Sequence, residues 1–115
     1  MYLDDSTRLK HMRDAAQKAI QFAQGKTRND LESDEMLALS LVKCIEILGE
    51  AASRITREKQ NQFPQIPWAE IIGMRNRLVH AYFQINFDVV WDTVTQNLPV
   101  ILPELEKMIA DEEEN

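Results

Sequence analysis

Apolar residues recur at intervals of three and four along most of this chain, the spacing of amphipathic helices. Between Ser6 and Gln24 the stripe is Leu9, Met12, Ala16, Ala19, Ile20 and Ala23. Asp4, Asp5 and Ser6 bring caps and acid to its positive end, and Gly25 is a natural stop. A polar connector, Lys26 to Ser33, leads to a second stripe between Asp34 and Thr56: Leu37, Leu41, Cys44, Ile45, Leu48, Ala52 and Ile55. Gly49 inside that stripe costs about 1 kcal/mol relative to alanine, so another helix is expected to pass close to it. Two amphipathic helices with a short link predict an antiparallel pair.

The stretch from Arg57 to Pro67 holds two prolines and reads as a turn or one loose helical turn. Pro67 suits the first position of a third helix, Trp68 to Phe83. Asn86 to Asp88 can cap a fourth, with Val90, Trp91, Val94, Leu98, Ile101, Leu102 and Leu105 facing inward. Pro99 and Pro103 interrupt that pattern and predict a kink or two consecutive helices. The expectation is an all-α, up-and-down bundle of four or five helices. Residues 1–110 would form one domain, and the acidic run 111–115 a solvated, frayed tail.

Composition narrows the function. A chain of 115 residues suits one domain. No segment approaches the ~18 uninterrupted apolar residues of a membrane span. The start, MYLDDSTRLK, has acids where a secretory signal carries base, so a cytoplasmic location is expected. Cys44 is the only cysteine, which rules out an internal disulfide; on an apolar stripe it reads as a small hydrophobe. The net charge of -6 excludes a long basic tract that grips nucleic acid. Action on RNA would need a local basic patch, for instance in an oligomeric cleft.

The segment from Gly73 to Phe83, GMRNRLVHAYF, carries the candidate chemistry. On an ideal helix, Trp68, Ile71, Ile72, Met74, Leu78, Val79 and Tyr82 spread over half the circumference. Gly73, Asn76, Arg77 and His80 fill the remaining wedge. Arg75 falls in the middle of the apolar half, where an unpaired charge is costly. Two readings stand for it: an ion pair with Glu46 or Glu50, or an anion site suited to phosphate. His80 is either a plain boundary residue or a base kept neutral by the cations beside it. Tyr82 reads as a bundle aromatic whose hydroxyl emerges close to Arg75. His11, between Lys10 and Met12, reads as a surface residue with no polar constellation around it. Arg75 and His80 lie ~140° apart on an ideal helix, so either the helix distorts or a second copy completes the site. No His/Asp/Glu cluster has metal-ligand spacing.

Arg75, four residues, His80, one residue and Tyr82 resemble the signature of the HEPN superfamily in its HepT-like branch. The flanking text is similar too, from Ile66 to Glu106 and from Glu35 to Ile55. The resemblance implies a metal-independent endoribonuclease toxin, with no cofactor, in which Arg75 and His80 carry RNA cleavage. It implies a homodimer with the motifs facing across the interface around the third helix. It further implies a minimal nucleotidyltransferase antitoxin of the MntA type, which silences the toxin by attaching AMP to Tyr82. Asn76 and Arg77 would orient substrate. RNA supplies its own nucleophile, the 2′-hydroxyl, so His80 is expected to move protons and Arg75 to stabilise the phosphate. The alternative is a non-catalytic helical adaptor that binds a nucleotidyltransferase or a nucleotide.

Overall fold

The first helix begins where the sequence places its cap. The Asp4 carboxylate accepts a hydrogen bond from the Thr7 N–H at 2.8 Å, and that bond holds its pKa below the ordinary value. In the computed structural model, which describes residues 4–80 and 84–114 and only the backbone of Arg75, Val79 and His80, α1 runs Asp5–Ala23. Gly25 follows with φ 77°, the left-handed conformation that glycine adopts without strain. The connector contains one short turn, α2 (Asp30–Ser33). Arg28 ties it to a segment 60 residues further on, bonding Glu32 at 2.9 Å and Asp88 at 2.8 Å. The second long helix, α3 (Glu35–Arg54), is capped by Asp34, whose carboxylate accepts from Leu37 N–H.

Electrostatic contacts fix the directions of the long helices. The Asp5 carboxylate, at the start of α1, accepts from Thr56 N–H at 3.0 Å and from its hydroxyl at 2.7 Å, just past the end of α3. The two helices therefore run antiparallel. The last helix, α8 (Leu98–Glu114), also ends near the start of α1, through Lys10 and Glu113 at 3.7 Å. Lys59, in the short helix α4 (Arg57–Gln62), pairs with Glu112. The acidic run, expected to fray, is helical through Glu114, and two of its carboxylates, Glu112 and Glu113, have lysine partners.

The core lies between these helices. Leu9, Met12, Ala16 and Ala19 of α1 meet Leu41, Ile45, Leu48 and Ala52 of α3, with Leu98, Leu105 and Met108 of α8 closing the third side. Every position of the expected α3 stripe is buried. The Cys44 thiol is among them, and burial pushes its pKa up, so it stays protonated and unreactive.

Two consecutive helices meet just before Pro99, one of the two outcomes the prolines predict, whereas Pro103 causes no break. One-turn helix α7 (Phe87–Asp92) passes into a π-helical turn, 93–97, and then directly into α8. Leu98 N–H reaches back five residues to Thr93 C=O. Pro99 has no N–H with which to continue the ordinary ladder, and the widened turn sits just before it. Pro103 is carried inside α8. Asn86 caps α7, accepting from Val89 N–H at 3.2 Å. Asn86→Ala should lower stability by about 1 kcal/mol, read as a shift of the denaturation midpoint without a change of slope.

Candidate active site

The candidate motif begins where α5 (Trp68–Gly73) ends. Trp68 anchors that helix: it is buried, and its indole N–H donates to Phe63 C=O at 3.1 Å. The other end rests on α3. A Cβ built at Gly49 would stand 3.1 Å from Ile71 C=O, so only glycine gives this approach without displacement. The close passage expected from Gly49 is therefore present, and its partner is the helix leading into the motif.

At Met74 the helix changes character. Arg77 and Leu78 both donate their N–H groups to Met74 C=O, at 2.8 and 3.1 Å, which closes the single turn α6 (Arg75–Leu78). Met74 and Leu78 are buried, whereas Asn76 and Arg77 are exposed. The chain then leaves the helix. Val79 pairs with Ile85 and His80 with Gln84 in an antiparallel two-residue ladder, β1 (Val79–His80) with β2 (Gln84–Ile85). Leu78 C=O accepts from Asn86 N–H at 2.6 Å and closes the base of this hairpin.

This corrects the expected third helix. It was to run unbroken from Trp68 to Phe83, but helical backbone stops at Leu78. The ideal-helix angle between Arg75 and His80 consequently does not apply, since one residue is on a helical turn and the other on a strand. Ile72, assigned to the apolar face, is exposed. Tyr82 lies outside the described residues. So do the side chains of Arg75 and His80, and with them both readings of Arg75, the ion pair with Glu46 or Glu50 and the anion site. Of those two acids, Glu50 bonds Arg54 at 3.0 Å.

Two features were missed by sequence reasoning. Thr93 is buried among the apolar residues; its hydroxyl donates to Val89 C=O at 2.7 Å and lies 3.1 Å from Met74 Sδ. The π-helical turn thereby touches Met74, the residue just before Arg75. Its signal was the threonine falling between Val90 and Val94 on an inward face. The second concerns His11. It is exposed, as expected of a surface residue, but it stands in a polar constellation with Arg8, Lys43, Glu46 and Glu50 around one cleft. Among the described residues no group of three or more His, Cys, Asp or Glu could hold a metal ion. No described helix is long and apolar enough to cross a membrane.

Comparison with known proteins decides what this architecture is. Residues 12–108 match the family described as Ribonuclease HepT-like, and the match takes in the whole of the joint, the hairpin and the π-helical turn. The chain belongs to the HepT-like ribonuclease family. It is 33% identical to "Putative RNase MJ0125" of Methanocaldococcus jannaschii, over 83% of this chain and 82% of that protein. It is 32% identical to "Putative RNase TTE0752" of Caldanaerobacter subterraneus subsp. tengcongensis, over 90% and 88% of the two chains. "Probable ribonuclease HepT" of Thermococcus cleftensis is 34% identical over 69% of this chain and 72% of its own length. No solved structure matches. The all-helical bundle expected from the stripes and the HepT-like resemblance read from the motif both stand, and the family's activity class, RNA cleavage, is that of this chain.

Proposed function

We propose that this HepT-like ribonuclease is the toxin of a toxin–antitoxin pair and cleaves RNA without a metal, through attack of the 2′-hydroxyl on the adjacent phosphate. The observation that carries the reading is the Arg75–His80–Tyr82 spacing set at a helix-to-strand joint within a HepT-like chain. His80 takes the proton of the 2′-hydroxyl or gives one to the 5′-oxygen leaving group, the second role falling to His80 of another copy in a homodimer. Arg75 binds the scissile phosphate and stabilises the charge that develops on it. Asn76 and Arg77, exposed on the same turn, orient the strand. The products are a 2′,3′-cyclic phosphate and a 5′-hydroxyl.

Tyr82 is the switch in this reading. A nucleotidyltransferase of the MntA type attaches AMP to its hydroxyl, and the added phosphate competes for Arg75. The dimer also answers the charge problem, because two copies of Arg75 and Arg77 concentrate cations that a chain of net charge -6 otherwise lacks. The target is tRNA or mRNA, and the proteins meet in the cytoplasm.

The test is direct. Purified protein, shown by mass spectrometry to carry no AMP on Tyr82, is incubated with end-labelled tRNA and total RNA in EDTA. Discrete fragments ending in cyclic phosphate are expected. Intact RNA in both pools would sink the catalytic reading and favour the adaptor.

A further inference from the structure

Among the described residues, Thr93 is the one polar side chain in the buried core, 2% exposed. Its hydroxyl donates to Val89 C=O at 2.7 Å, and the same oxygen lies 3.1 Å from Met74 Sδ. A threonine that bonds back four residues bends its own helix and slightly destabilises it. Valine would fill the same core position with no hydroxyl to satisfy. Helix stability therefore does not account for Thr93, and what its hydroxyl adds is the contact across to Met74. Thr95, in the same π-helical turn, makes the same back-bond, to Trp91 C=O at 2.7 Å, from a half-buried position.

Met74 is a residue that needs holding. Methionine is unbranched and fills gaps in several rotamers, so packing alone specifies it poorly. Its backbone also turns α5 into α6. Met74 N–H donates to Ile71 C=O at 3.3 Å, and Met74 C=O receives both Arg77 N–H and Leu78 N–H. A shift at Met74 therefore moves the single turn whose backbone carries Arg75. The π-helical turn is shaped to reach it. Val90, Val94 and Leu98 are buried at two successive intervals of four, over which an ordinary α-helix rotates by ~80°. The wider turn absorbs that rotation, so Thr93 meets Met74 while α8 beyond it packs along α1. Turns of this kind are rare and recur at functional sites.

We propose that Thr93 is a positioning residue of the ribonuclease: its hydroxyl fixes Met74, and Met74 fixes the turn that presents Arg75 to the phosphate. The purpose rests on the role given to Arg75 above, whereas the coupling of Thr93 to the turn does not.

Thr93→Val removes the hydroxyl at similar size. At a temperature where the variant is fully folded, its kcat should fall about tenfold or more, since a ~1 Å misplacement remote from the chemistry costs up to ~10²-fold. KM for RNA should stay within about twofold, because no contact with the strand is lost. Thr93→Ser should restore kcat, and Thr95→Val, which loses only the equivalent back-bond, should leave it unchanged. If Thr93→Val does not fold, Met74→Leu replaces it, removing the sulfur at nearly constant volume. Amide exchange at Arg77 and Leu78 reads the turn with no RNA present, and should be faster in Thr93→Val but not in Thr95→Val. Wild-type kcat in folded Thr93→Val, an equal loss in Thr95→Val, or unchanged exchange at both amides overturns the role. Should the wild-type protein cut no RNA, the cleavage mechanism falls, and amide exchange still decides the coupling.

Discussion

Replacing His80 with alanine is expected to slow RNA cleavage by about 10²–10⁴-fold, the contribution of one positioned acid–base group. Of the groups on this segment His80 is the one whose ordinary pKa lies near neutrality; Asn76 cannot titrate, Arg77 cannot lose its proton, and a tyrosine hydroxyl such as Tyr82 stays protonated until about pH 10. Arg75→Lys is the informative companion. It keeps the charge but loses the planar fork that engages two phosphate oxygens at once. The loss should approach the roughly 10²–10³-fold measured for a single transition-state donor. In the proposed mechanism both groups act on one phosphate, so the double variant should lose less than the product of the single losses. Single-turnover cleavage of a labelled RNA measures all three. Wild-type rates in His80→Ala would remove His80 from the chemistry.

The second large effect belongs to a residue that touches no substrate. Gly49→Val should destabilise the fold by about 1–3 kcal/mol, the usual cost of forcing extra atoms into a packed contact. The new Cβ meets a backbone carbonyl, Ile71 C=O, at 3.1 Å, and backbone cannot swing aside as a flexible side chain can. The contact is relieved by shifting α5 relative to α3, and a shift of α5 carries Met74 and Arg75 with it. Cleavage at a temperature where the variant is fully folded should therefore fall as well, which a purely global loss of stability would not produce. Gly73→Ala is the control, since a Cβ there meets nothing within 4 Å. It should be neutral or stabilising by up to ~1 kcal/mol. Thermal melts paired with cleavage assays separate the two outcomes; a Gly49→Val protein as stable as wild type would show that α5 yields without cost.

The long helices were legible because each buries one continuous stripe. Leu37 through Ile55 falls inward as its spacing requires, and Gly49 announced a close neighbour by being a poor helix former in a good helix. The third helix misled for a physical reason. Val79, Tyr82 and Phe83 continue the three-four spacing after Leu78, so periodicity alone cannot see the helix end. β-Branched and aromatic residues are also strand formers, and the choice falls to a partner four to eight residues away. Leu78 C=O to Asn86 N–H and the pairing of His80 with Gln84 supply it. The candidate residues were found by their order along the chain, which does not require knowing the backbone between them. The cleft of Arg8, His11, Lys43 and Glu46 was invisible for the opposite reason. Its two walls come from separate helices, and nothing in either stripe states their register.

Arg75 is counted from Met74 in helical steps, and His80 from Leu78 in strand steps. An inserted residue before Leu78 would swing Arg75 by ~100° around its axis. One inserted after Leu78 would turn His80 to the opposite side of the ribbon. Two rulers of different period meet at a residue that is wholly buried and whose carbonyl closes the hairpin. The interval between the two candidate groups therefore cannot absorb insertions or deletions, whereas the exposed connector before α3 can lengthen without turning either of them.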